Sequence, residues 1–340
     1  MKDQWGRNID YMRISITDRC NLRCRYCMPH GIECVPMPEI LTLEEYAQVV
    51  TCGAAMGISK IKVTGGEPLV RLGCCEFIGM LKKVPGIEKV TITTNGILLG
   101  NYLDSLLEAG IDGINISLDT LDPELYRSLT GGGALKQVLS AIKQAAEKCT
   151  GTDIPVKINA VSLDLFDVAE KLGCSYSGPG WTELLTLARE FPLDIRFIEM
   201  MPIGCGKQYQ SVNHQELLAD LKRRYPGMRK DERPHGYGPA VYYQIPELKG
   251  SVGFISAIHG KFCESCNRLR LTSQGYLKSC LCYEDGEDLK KILRGTKTED
   301  EKQRQLSNAM RRVIWEKPPA HCFEHPEKMT EQENMSRIGG

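Results

Sequence analysis

The sequence has no excess of charge of either sign: 43 lysines and arginines stand against 43 aspartates and glutamates over 340 residues. That balance gives no global reason to expect a nucleic acid polymer or an anionic membrane as partner, so an anionic ligand has to be met by a local cluster of basic residues. No apolar run approaches membrane-spanning length, and the opening MKDQWGRNIDYMRISI has no signal-peptide core. A cytoplasmic location is expected. Cysteine is not scarce, but its count of fifteen is odd, which suits a disulfide framework poorly. Thiols in the cytoplasm are kept reduced, and metal ligation is the better reading.

Two cysteine clusters stand out. Cys20, Cys24 and Cys27 form C-x3-C-x2-C, with no fourth cysteine close behind. Cys263, Cys266 and Cys280 form C-x2-C-x13-C far down the chain. A structural zinc site wants four ligands. His30 could complete the first set and Cys282 the second, so zinc stays open at both on spacing alone. Three thiolates can also hold a cubane iron–sulfur cluster and leave one iron open.

Short alternating segments punctuate the first two-thirds of the chain. Strands are read at residues 12–17, 60–64, 90–95, 114–119, 155–160 and 194–199, with amphipathic helical runs between them. Regular β-then-α order implies a parallel sheet with right-handed crossovers. In each strand one face is apolar and the other polar: Met12, Ile14 and Ile16 oppose Arg13, Ser15 and Thr17. Strands buried on both sides should be nearly continuously apolar, so these predict an α/β fold built as a partly open six-stranded barrel with a hydrophilic interior. An antiparallel sheet with one wet face is the plainer alternative. An interior holding Arg13, Lys60, Lys62, Lys157 and Arg196 is costly without an anion, which points to a highly charged small ligand such as a polyphosphate. The first cysteine set follows strand one, at the end where barrel active sites assemble, and TGGEP (64–68) follows strand two, with glycines that let a ligand near the backbone.

On C-x3-C-x2-C together with TGGEP, the sequence resembles the radical SAM superfamily. DRCNLRCRYCMP, TGGEPLVR, TTNG, ISLDT, RFIEMMP, CNRLRLT and the terminal MSRIGG further resemble, in order along the chain, the MoaA family of GTP 3′,8-cyclases in molybdenum cofactor biosynthesis. The resemblance implies a radical SAM (β/α)6 partial barrel over residues 1–230. Residues 231–340 would be a C-terminal extension carrying a second [4Fe–4S] cluster and a Gly-Gly tail. It implies two [4Fe–4S] clusters, on Cys20, Cys24 and Cys27 and on Cys263, Cys266 and Cys280, with Cys282 a bystander. S-adenosylmethionine would meet Tyr26, Gly66, Ser117 and Met201, and yield a 5′-deoxyadenosyl radical that takes the ribose 3′ hydrogen of GTP before C3′ bonds to guanine C8.

Arg13, Lys60, Lys62, Thr93, Lys157, Arg196, Arg268 and Arg270 would contact GTP. Lys62 stands where arginine is expected, which keeps the charge but loses a bidentate phosphate contact. Arg268 and Arg270, with Gly339 and Gly340 of the tail, would serve cyclisation. Expected partners are GTP, an electron donor and the downstream cyclic pyranopterin monophosphate synthase; a homodimer is compatible. Residues 164–181, rich in Gly, Ser and Pro, read as a surface loop insertion, and residues 296–330 as a helix plus a linker to the tail. A different radical enzyme with an auxiliary cluster, and a non-catalytic zinc-binding interaction protein, are the rival readings.

Overall fold

Alternating strands with one apolar face need helices over that face and something polar on the other, and the fold supplies both. A computed structural model of the chain describes residues 1–31 and 35–338. The six expected strands are β1 (Tyr11–Ser15), β2 (Lys60–Thr64), β3 (Lys89–Thr94), β4 (Ile114–Ser117), β5 (Val156–Val161) and β6 (Asp194–Ile198). They lie side by side in sequence order, all parallel. Met12, Ile14, Ile61, Val63, Val90, Ile92, Ile116, Ile158, Ile195 and Phe197 are buried on the helix-covered face. Each such side chain contributes about 1.5–3 kcal/mol relative to exposure.

Six more short strands follow: β7 (Arg229–Lys230), β8 (Val241–Gln244), β9 (Ser251–Ile255), β10 (Arg268–Leu271), β11 (Tyr276–Lys278) and β12 (Gly286–Asp288). The last five of them, β8 to β12, fall in residues 231–340, expected as an appended extension. All six continue the same sheet at its two edges. β9 pairs parallel with β6 and carries β8 and β7, while β10 pairs parallel with β1 and carries β11 and β12. The outer strands β12 and β7 do not pair with each other, so the barrel is open. The sequence Arg-Leu-Arg-Leu of β10 explains its place. Leu269 and Leu271 are fully buried on the apolar face, and the arginines take the other.

Residues 164–181 depart from the loop expected. Asp164 accepts from the backbone N–H groups of Phe166 and Asp167 and caps a helix, Leu165–Leu172, ending on Gly173 at φ +65°. Leu165, Val168 and Ala169 bury against Leu125, Leu129 and Leu163 in a small core of their own.

Candidate active site

The register of the parallel strands stacks the polar side chains in rows. Arg13 lies opposite Lys62 on one side and Arg270 on the other. Thr93, Asn115 and Lys157 form a second row, and Ser117, Asn159 and Arg196 a third. Above them, at the C-terminal ends of the strands, is a cavity of ≈ 350 Å³, in the range of small-molecule sites. Both cysteine sets line it: Cys20, Cys24 and Cys27 from one side, Cys263, Cys266 and Cys280 from the other. Tyr26, Gly66, Ser117, Met201, Arg13, Thr93, Arg268 and Arg270 also face it.

The first set sits on a loop pinned by β2 and β3. Glu67, fully buried, accepts from the Thr94 hydroxyl at 2.7 Å and the Asn95 backbone N–H at 2.6 Å. Asn95 in turn donates to Asn21 Oδ1 at 2.7 Å and to Cys20 Sγ at 3.7 Å. The glycines of TGGEP serve the protein's own backbone. A Cβ on Gly66 would lie 2.4 Å from the Arg19 carbonyl oxygen, and one on Gly65 2.7 Å from that of Thr17. They let β2 press against the segment that delivers Cys20. Tyr26 donates to Asp119 Oδ2 at 2.8 Å, and Asp119 also accepts from the Val161 N–H.

Electrostatics divide the cavity. Burial pushes Cys27 up to about 12 and Cys24 well above its usual range, each pushed further by neighbouring thiols. Burial likewise lifts Glu67 to about 7 and Asp119 to about 6. Opposite them the basic groups are held down. Arg13 falls to about 9 through burial and the neighbouring Arg270, and Arg270 to about 10 through burial and Arg268. Lys62 is driven well below its ordinary value by burial, Arg196 and Arg13. Arg13 Nε is buried without a hydrogen-bond partner.

Not every expected residue reaches the cavity. Lys60 sits at the opposite end of β2, 2.6 Å from Asp10 Oδ2. Lys62, Lys157 and Arg196 lie on the polar face but outside the cavity lining. Lys157 Nζ is 3.2 Å from the Tyr242 hydroxyl and 3.4 Å from Asp194 Oδ2, and Arg196 donates to Asn159 and Asn115. Gly339 and Gly340 lie outside the described residues, although Met335 and Ser336 of the same tail line the cavity. Cys282 is fully buried, its Sγ 3.3 Å from that of Cys322, and is no part of the lining. Glu67, Asp119, Lys317 and His321 were missed. The first two could have been found from TGGEP and from the alternation of ISLDT, whereas nothing local marks the other two.

Two family models match the chain: the Radical SAM superfamily over residues 14–170 and Molybdenum Cofactor Synthesis C over residues 193–323. A protein of Clostridium perfringens (strain 13 / Type A) named GTP 3′,8-cyclase is 42% identical over 342 residues, covering 100% of both chains. Another of that name, from Alkaliphilus oremlandii, is 41% identical over 345 residues at the same coverage. The chain belongs to the GTP 3′,8-cyclase family. Its fold is that of Streptococcus suis SuiB bound to S-adenosylmethionine (TM-score 0.61, 14% identity, 91% of this chain and 67% of that chain).

The GTP 3′,8-cyclases use two [4Fe–4S] clusters and S-adenosylmethionine, and the residues present fit them. Among the described residues no group of three or more His, Cys, Asp or Glu side chains is gathered closely enough to hold a metal ion; both triads line the shared cavity. Burial raises all three thiols of the first triad, and a bound metal that takes them as thiolates offsets that cost. Among the described residues no helix is long and apolar enough to cross a membrane.

Proposed function

We propose that this chain converts GTP to (8S)-3′,8-cyclo-7,8-dihydroguanosine 5′-triphosphate, the first step of molybdenum cofactor biosynthesis, in the cavity between the two cysteine triads. When bound, the first cluster and S-adenosylmethionine supply an adenosyl radical able to remove a hydrogen atom from the ribose. The chain's own residues bind, orient and shield. Cys20, Cys24 and Cys27 hold one cluster and Cys263, Cys266 and Cys280 the other. Tyr26, Gly66, Ser117 and Met201 flank the adenosyl cofactor.

Arg13, Thr93, Arg268 and Arg270 receive the nucleotide, with Lys62, Lys157 and Arg196 completing the positive floor. Lys60, already paired with Asp10, adds charge at longer range. Cations crowded together in a dry site depress one another's proton affinity, and a triphosphate reverses that penalty. The single observation behind this reading is the cavity itself, in which Arg13, Arg268 and Arg270 face six lining thiols. The wall formed by Met335 and Ser336 supports the Gly339–Gly340 tail as an active-site element. Residues 1–230 are taken as the barrel and residues 231–340 as the auxiliary-cluster region.

A cytoplasmic setting is proposed with it, with a separate electron donor and with cyclic pyranopterin monophosphate synthase taking the product; a homodimer is compatible. Anaerobic turnover with GTP, S-adenosylmethionine and a reductant should yield the cyclised triphosphate by mass spectrometry. Methionine release without that product would overturn the GTP assignment.

A further inference from the structure

Two cysteines near the second triad belong to neither cluster set, and they touch. Cys282 follows Cys280 by two residues on the chain that leaves β11, and Cys322 lies in the segment that leads to the C-terminal tail. Their sulfurs are 3.3 Å apart, and the Cys322 backbone N–H donates to Cys282 Sγ at 3.3 Å. Cys282 is fully buried, in a small apolar cluster with Ile203, Leu281 and Phe323. Cys322 packs at the edge of that cluster and is half-buried.

The two segments are held side by side by other groups. The Tyr283 hydroxyl donates to the Ala320 carbonyl at 3.2 Å and the Glu284 N–H to the Thr330 hydroxyl at 3.0 Å. The Glu331 N–H donates to the Cys282 carbonyl at 3.3 Å. Buried Lys278, the last residue of β11, pairs with buried Glu331. The backbones are thus fixed at a spacing that brings the sulfurs nearly to bonding distance.

We propose that Cys282 and Cys322 form a reversible disulfide site, closed by a low-molecular-weight disulfide such as oxidised glutathione while the second triad keeps its iron. In the cytoplasm such a pair rests as two thiols and closes when oxidant rises. Cys322, the half-buried partner, attacks one sulfur of the glutathione disulfide and releases one glutathione. Cys282 then attacks the Cys322 sulfur of the mixed disulfide and releases the second. Two protein thiols are oxidised, one glutathione disulfide becomes two glutathione thiols, and the two protons leave on them. The bond fastens the chain that delivers Cys280 to the segment carrying Phe323, and both residues line the cavity.

The test exposes anaerobically reconstituted full-length protein, with both clusters and no substrate, to oxidised glutathione. Free thiols are then blocked with iodoacetamide and the peptides mapped by mass spectrometry without reduction. Peptides joined through Cys282 and Cys322 are expected, with iron content unchanged and the link lost on adding excess reduced glutathione. Closure is intramolecular, so the linked form should exceed the glutathione adduct on Cys322 by roughly tenfold or more. Cys282→Ser should stop at that adduct, and Cys322→Ser should give neither adduct nor link at this site. The wild-type map decides the matter even if either variant takes up no iron. Absence of the joined peptides, a link that forms only as iron is lost, or Cys322 joined instead to a triad cysteine would overturn the proposal.

Discussion

The two cysteine triads share one cavity and differ in their company. Cys20, Cys24 and Cys27 sit among carboxylates and a phenol. All three thiols are raised by burial, Cys24 and Cys27 further by neighbouring thiols, with Asp119 adding at Cys24 and Glu67 at Cys20. Cys266, in the second triad, goes the other way. Burial acts to raise it, but Lys317, the Arg268 N–H and the nearby arginines outweigh that and bring it below its usual value. Cys263, by contrast, is raised by burial, so the positive surroundings of the second triad act most on Cys266.

The largest expected effect breaks this division outright. Cys24→Ala should abolish both S-adenosylmethionine cleavage and cyclisation. Cys266→Ala should abolish cyclisation and leave cofactor cleavage in place. Each should lower iron from about eight atoms per chain to about four. Methionine release, product mass and iron assay read all three. If Cys266→Ala stops cofactor cleavage with the first cluster intact, the triads are not separate in function. The Ser336 backbone N–H of the tail donates to Cys27 of the first triad, yet the role proposed for the tail is in cyclisation. Gly339→Ala or Gly340→Ala should keep cofactor cleavage and lose cyclised product, and normal product from either variant would remove the tail from the site.

A smaller effect probes the cations. Lys157 is pushed down to about 8 by burial and then by Arg196, against the pull of Asp194. The triphosphate binds the ammonium form, so in the free protein that form is present below pH 8 and lost above it. GTP affinity should weaken by up to roughly tenfold per unit as pH rises past 8. Lys157→Arg, whose charge persists, should flatten the profile. A wild-type affinity constant from pH 7 to 9.5 would remove Lys157 from the nucleotide's surroundings.

The barrel was legible because its strands alternate: the polar rows of β1 to β6 are readable one strand at a time, and register then aligns them. The same alternation exposes β10, yet its partner could not be read, since Arg268–Leu271 reaches β1 across more than half the chain. Lys60 shows the limit of face-reading. Alternation gives the side a residue points to but not its height along the barrel, and Lys60 lies low enough to find Asp10. His321 was illegible for another reason. Its segment has no period, and its place comes from Arg7 gripping three distant carbonyls.

The smallest effect sharpens the carboxylate side of the comparison. Tyr26 lines the cavity while its hydroxyl turns to Asp119 Oδ2 at 2.8 Å. Asp119 also accepts from the Val161 N–H at 2.8 Å, so it ties the cysteine loop to β5. Tyr26→Phe keeps the ring but takes one donor from a buried carboxyl. The Asp119 pKa should climb from about 6, because burial already raises it and the Tyr26 hydrogen bond is one of the two that hold it down. A buried hydrogen bond to an ionisable group is worth about 1.5–3 kcal/mol. Partial protonation of Asp119 near neutral pH returns some of that, so a stability loss of about 1–2 kcal/mol is expected in denaturant unfolding of the cluster-free protein. The ring still packs, so affinity for S-adenosylmethionine should change less than about threefold. A larger loss of affinity, with iron content preserved, would mean that the hydroxyl serves the cofactor rather than the loop.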